Sequence, residues 1–99
     1  MVKQRAIIIG AGLGGITTSI YLAKLGMDVD VYEKTILPGG RCGQIIRDGY
    51  RFDIGATMML MPGIYRQVFE SLGHDLEKTI NLKKLDNLYT IYFDNGAKL

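Results

Sequence analysis

The chain has 99 residues, enough for one small domain at most. With 47% hydrophobic residues it is not a disordered polymer, and a net charge of +2 gives no electrostatic case for nucleic acid. One cysteine and one histidine exclude an internal disulfide and a Cys/His metal cluster, and no apolar run approaches the roughly 18 residues of a membrane span.

Met1 is followed within a few residues by a strand pattern, with no signal-peptide pattern, so the cytosol is the default compartment. Arg5 to Ile9 reads as a continuous apolar strand buried on both faces, as the central strand of a parallel sheet must be. Gly10-Ala11-Gly12-Leu13-Gly14-Gly15 is a Gly-rich turn, and residues 14–25 follow it as a helix, with Ile16, Ile20 and Ala23 at helical spacing. Gly26 is placed to stop that helix in the left-handed conformation. Asp28 to Tyr32 alternates valines with acids as a second strand, and Glu33 sits at its carboxyl end.

Strand, Gly-rich turn, helix and an acid about 20 residues on form the pattern of a dinucleotide-binding βαβ unit. Gly10 permits the tight turn, Gly12 leaves room for a pyrophosphate, and Gly15 lets the helix pack close to the sheet. The helix start, from Leu13 and Gly14, directs free N–H groups and the positive dipole end at the phosphates. A carboxylate at Glu33 suits two ribose hydroxyls and repels a 2′-phosphate, which argues against NADP.

Residues 34–44 form a loop broken at Pro38-Gly39-Gly40. Lys34 follows the acid directly, and Gly39-Gly40-Arg41 combines close backbone approach with a guanidinium able to fork onto phosphate oxygens. This acid, loop and Gly-Gly-Arg arrangement resembles the amine oxidase and carotenoid desaturase superfamily of flavoenzymes, which implies FAD. The small hydroxyl residue that often follows the arginine there is replaced here by Cys42-Gly43-Gln44. Cys42 itself reads as a small buried thiol, with a covalent-flavin or redox role as the alternative.

Asp48-Gly49 is a two-residue hairpin signal between Ile45-Ile46 and residues 50–54. Met58, Met59, Leu60 and Met61 then lead through Pro62 into a helix on which Ile64, Val68, Phe69 and Leu72 recur, stopped by Gly73. His74 beside Asp75 reads as a charge complementing the helix dipole, with catalysis as the alternative. Asp48-Gly49-Tyr50-Arg51-Phe52-Asp53-Ile54-Gly55-Ala56-Thr57 and the Met/Leu/Pro run after it are similar to bacterial carotenoid desaturases, the phytoene and dehydrosqualene desaturases. Residues 85–96 resemble the same proteins, so the likeness runs from about Ala6 to Leu99.

The resemblance implies a membrane-associated FAD enzyme that desaturates a long isoprenoid by hydride transfer to flavin. It places Gly55, Ala56 and Thr57 near the flavin, has Asp53 orient backbone amides near Gly55, and offers Met58, Met59, Leu60 and Met61 as lining for an apolar tunnel. The residues alone make that run core first. No general base is nameable.

Tyr89 to Phe93 reads as a last strand, and Asp94-Asn95-Gly96 asks for a return strand of which only three residues remain, an arm expected to be poorly ordered. The expectation is therefore an α/β chain: a Rossmann-like FAD-binding βαβ unit with a following hairpin and helix, in an incomplete doubly wound parallel sheet. Residues 1–99 form the N-terminal portion of an FAD/NAD(P)-binding domain, with a substrate-binding part beginning near residue 80. Such a piece is expected to self-associate and to have no turnover by itself. The alternatives are another flavin oxidase of the amine oxidase superfamily, acting on a polar substrate, and a nucleotide-binding piece without activity.

Overall fold

A computed structural model describes residues 2–99. Strand β1 (Arg5–Ile9) pairs in parallel with β2 (Asp28–Tyr32), with Arg5 opposite Asp28 and Ile9 opposite Tyr32. Helix α1 (Leu13–Lys24) connects them and starts one residue before the sequence reading placed it. Its end is a Schellman cap: Gly26 takes φ +88°, its N–H donates to the Ala23 carbonyl, and the Met27 N–H donates to the Leu22 carbonyl. The βαβ unit anticipated from the glycine spacing is therefore present.

The second sheet is an antiparallel hairpin of β3 (Gln44–Arg47) and β4 (Tyr50–Asp53). Asp48 and Gly49 both have positive φ, 51° and 83°, as a two-residue turn of the I′ kind requires. Helix α2 (Pro62–Ser71) begins with proline at its first turn and ends in a second Schellman cap built by Gly73 and the His74 N–H on the Phe69 carbonyl. Two elements escape the periodicity reading. One is a 3-10 turn at Gly40–Cys42, and the other is the short α3 (Leu76–Thr79), whose Asp75 cap accepts from the Glu77 and Lys78 N–H groups.

Three expectations are corrected. β1 is not buried on both faces: Ala6 and Ile8 turn toward α1, whereas Ile7 and Ile9 are 62% and 90% exposed, because among the described residues β2 is its one strand partner and none covers the opposite face. Tyr89 to Phe93 forms no strand, only a bridge of Tyr92 with Lys98. Ile91 and Leu99 nevertheless exchange backbone hydrogen bonds, and the Lys98 ammonium lies 5.2 Å from the Tyr92 ring centre. Cys42 is exposed, since the 3-10 turn holds it at the surface.

Among the described residues only Ala11 and Leu76 are buried apolar side chains, and Leu76, at 1% exposure, sits where α2 meets α3. The radius of gyration is 18.5 Å, against about 13 Å for a compact domain of this length. Local geometry is well satisfied, while most apolar faces lie open.

Candidate dinucleotide site

The site is built where three loops meet by backbone contact. Gly10 (φ +101°) turns the chain out of β1 and donates its N–H to the Tyr32 carbonyl at 2.7 Å. A Cβ on Gly15 would stand 1.9 Å from the Gly10 carbonyl oxygen and 3.3 Å from an Ile8 methyl, so only glycine allows α1 this close to β1. Gly12 differs. A Cβ there would meet nothing within 4 Å, so the protein's own packing does not require this glycine. Open space in front of a helix start is what an anionic ligand needs. Gly12 is also the N-cap of α1 and supplies no side-chain acceptor, so the first-turn N–H groups, Leu13 and Gly14 among them, stay uncapped by side chains.

The second loop joins this turn directly. Gly39 donates its N–H to the Ala11 carbonyl at 2.7 Å and forms a parallel bridge with Gly12. Gly40 lies so close that a Cβ would stand 3.3 Å from the Gly12 Cα. Arg41 follows, exposed and without an ion pair among the described residues, so its guanidinium is free to meet an anion. The third loop abuts the second: a Cβ on Gly55 would stand 1.9 Å from the Arg41 carbonyl oxygen, and the Ile54 N–H donates to the Gly43 carbonyl. Nothing local in Gly55 announces this contact 14 residues back in the chain.

Glu33 ties the cradle together. Its Oε2 accepts from the Ala11 N–H at 2.7 Å, while Oε1 accepts from the Thr35 N–H and hydroxyl, each at 3.0 Å. The Ala11 bond, followed by those from Thr35, holds the carboxyl below its ordinary pKa, so it is a carboxylate at neutral pH. Lys34 is exposed beside it and has no ion pair among the described residues.

Asp53 does not orient the amides near Gly55 as expected: its Oδ1 accepts from the Gln44 side chain across the hairpin at 2.8 Å. Ala56 and Thr57 are exposed on the strandless run after Gly55. Ala56 also reaches an apolar groove of about 810 Å³ between α1 and α2. Leu13, Ile16 and Ile20 form one wall; Ile64, Val68 and Phe69 form the other, and Met58, Leu60 and Met61 lie along it. Met59 is half-buried and outside that lining. The helices are tied at their far ends by Tyr21 Oη on Ser71 Oγ at 2.7 Å and by the Lys24 ammonium on the Ser71 carbonyl. His74 reaches the groove rim.

Residues 8–74 match the model of the NAD(P)-binding Rossmann-like domain family. The chain is 44% identical over 97 residues to a phytoene desaturase of Cercospora nicotianae, an alignment spanning 97% of this chain and 16% of that protein. It is 37% identical over 92 residues to a 4,4′-diapophytoene desaturase of Staphylococcus aureus, with 93% and 18% covered. An oxidoreductase of known structure from Methanosarcina mazei superposes with a TM-score of 0.53 at 30% identity, covering 66% of this chain and 17% of that one. The chain thus spans less than a fifth of the length of these relatives. It is similar in sequence to phytoene and diapophytoene desaturases, and it belongs to the NAD(P)-binding Rossmann-like domain family.

Proposed function

We propose that this chain is the FAD-binding portion of an oxidoreductase that desaturates a long isoprenoid such as phytoene or dehydrosqualene. The observation that carries this reading is its 44% identity to a phytoene desaturase across 97% of the chain. The cradle fits FAD chemically. Uncapped N–H groups at the start of α1 and the unpaired Arg41 suit a pyrophosphate, the open space at Gly12 admits it, and Glu33 suits the adenosine ribose. Lys34, Gly10, Gly14, Gly15 and Gly40 would complete the loops that hold the dinucleotide, and the family resemblance assigns Gly55, Ala56 and Thr57 to the flavin.

FAD, when bound, supplies the hydride acceptor for removing hydrogen from an apolar carbon chain. The protein's part is orientation and exclusion of water, and the groove beside Ala56 offers an apolar wall for a substrate without polar handles. Peripheral attachment to a membrane, where such substrates reside, belongs to the same proposal, with the domain break near residue 80. Among the described residues no helix is long and apolar enough to cross a membrane.

The test is protein expressed from the complete reading frame that encodes this chain. It is expected to release FAD on denaturation and to convert phytoene or dehydrosqualene, in liposomes with FAD, to products absorbing at longer wavelength. Absence of flavin after FAD supplementation overturns the cofactor assignment. Flavin without conversion of either hydrocarbon, but with turnover of an amine, points to a flavin oxidase instead.

A further inference from the structure

We propose that Thr35 is a positioning residue that sets how Glu33 meets the adenosine ribose, and with it how firmly FAD is retained. The inference rests on the flavin reading above. A carboxylate offers about four acceptor sites. Here the Ala11 N–H takes one on Oε2, and the Thr35 N–H and hydroxyl take both on Oε1. One site is left, whereas a ribose presents two hydroxyls.

The Thr35 hydroxyl resolves this shortage. It has a single proton, yet it stands within reach of two acceptors, Glu33 Oε1 at 3.0 Å and the Leu37 carbonyl at 2.8 Å. Without ligand, a bond to Oε1 fixes the carboxylate plane. When a ribose arrives, the proton turns to the Leu37 carbonyl and Oε1 becomes free for the second hydroxyl. The Thr35 and Ala11 N–H groups keep Glu33 aligned throughout. Glu33 is thus pre-organised before binding, and no hydrogen bond is lost on binding. The loop Thr35-Ile36-Leu37 thereby acts on the cofactor through Glu33.

The experiment measures FAD dissociation constants for apoprotein from the complete reading frame, with turnover at saturating FAD alongside. Thr35→Val is expected to weaken FAD binding about three- to tenfold, the scale of leaving one side chain, Glu33, to be ordered on binding. Turnover at saturating FAD stays unchanged, and Thr35→Ser returns the affinity to within about twofold of the parent. In a Glu33→Ala background, Thr35→Val is expected to add nothing, because its effect passes through the carboxylate. Thr35→Ala serves as a second hydroxyl-free variant should the valine protein not fold.

Parent-like affinity in both hydroxyl-free variants overturns the proposal. So does a serine variant as weak as the valine one, or an undiminished effect without Glu33. A parent protein that binds no FAD overturns the flavin reading first. A parent that binds FAD with no Thr35 effect removes this inference alone.

Discussion

Glu33 Oε2 and the Ala11 N–H are joined at 2.7 Å, so the carboxyl end of β2 holds the Gly-rich turn from 22 residues away. Because this bond and those from Thr35 lower the Glu33 pKa from 4.5, the carboxylate's contribution is complete above that value. It is lost as the pH falls through the lowered folded-state value. FAD retention is therefore expected to show no Glu33-dependent change with pH from neutral down to about 4.5, and a Glu33-dependent decline at lower pH. Glu33→Gln should weaken binding at neutral pH and abolish that acid-dependent component. Fluorescence of released FAD, followed on stepwise acidification of parent and variant, checks both.

The two inner glycines should separate folding from binding. Gly15→Ala places a methyl 1.9 Å from a backbone oxygen, so α1 must move away from β1, at a cost of about 1–3 kcal/mol. Gly12→Ala meets no atom within 4 Å at a φ of −77°, so thermal stability should fall by about 1 kcal/mol or less. The same methyl fills the space a pyrophosphate would enter, and FAD affinity should drop about tenfold or more. Thermal unfolding of the apoprotein and FAD titration, run on both variants, check the contrast.

What the residues disclosed and what they concealed have distinct physical origins. The bonds of Glu33 to Ala11 and Thr35 carried no signal, since the acid reads as an acceptor for ribose hydroxyls, whereas the βαβ unit was legible because glycine spacing and a terminal acid encode its turns. The fit of Gly55 against Arg41 was not, since a glycine chosen for another loop's approach carries no signal of its own. The burial predicted for Ile7 and Ile9 records a strand flanked on both sides, whereas β1 has β2 alone beside it. Asp75 caps α3, which as a single turn is too short to show helical periodicity in the sequence.

Those open faces give a prediction for the 99-residue chain by itself. Ile7 and Ile9 on β1, with Ile64 on α2, are exposed large apolar side chains, and β1 and β2 each have one unpaired edge. Such surfaces favour association. Light scattering should give a mass above the 11.0 kDa monomer, with weak or no FAD binding. A monodisperse monomer that binds FAD at micromolar concentration would contradict the expectation.

The groove separates a substrate wall from ordinary core packing at Met58 and Met61. Both line it and are 46% and 68% exposed, while Met59, between them, is half-buried outside it. If the groove receives the isoprenoid, a primary amide there faces a hydrocarbon without a hydrogen-bond partner, at a cost of about 1–3 kcal/mol. Met58→Gln or Met61→Gln should then raise KM for the hydrocarbon by about tenfold with FAD affinity unchanged. If these methionines are instead covered by other parts of the protein, the same substitutions lower the melting temperature and leave KM alone. Met59→Gln, away from the groove, should affect stability in either case. Melting curves and steady-state assays on the three variants distinguish the outcomes, and the groove assignment stands only if KM moves for Met58 and Met61 but not for Met59.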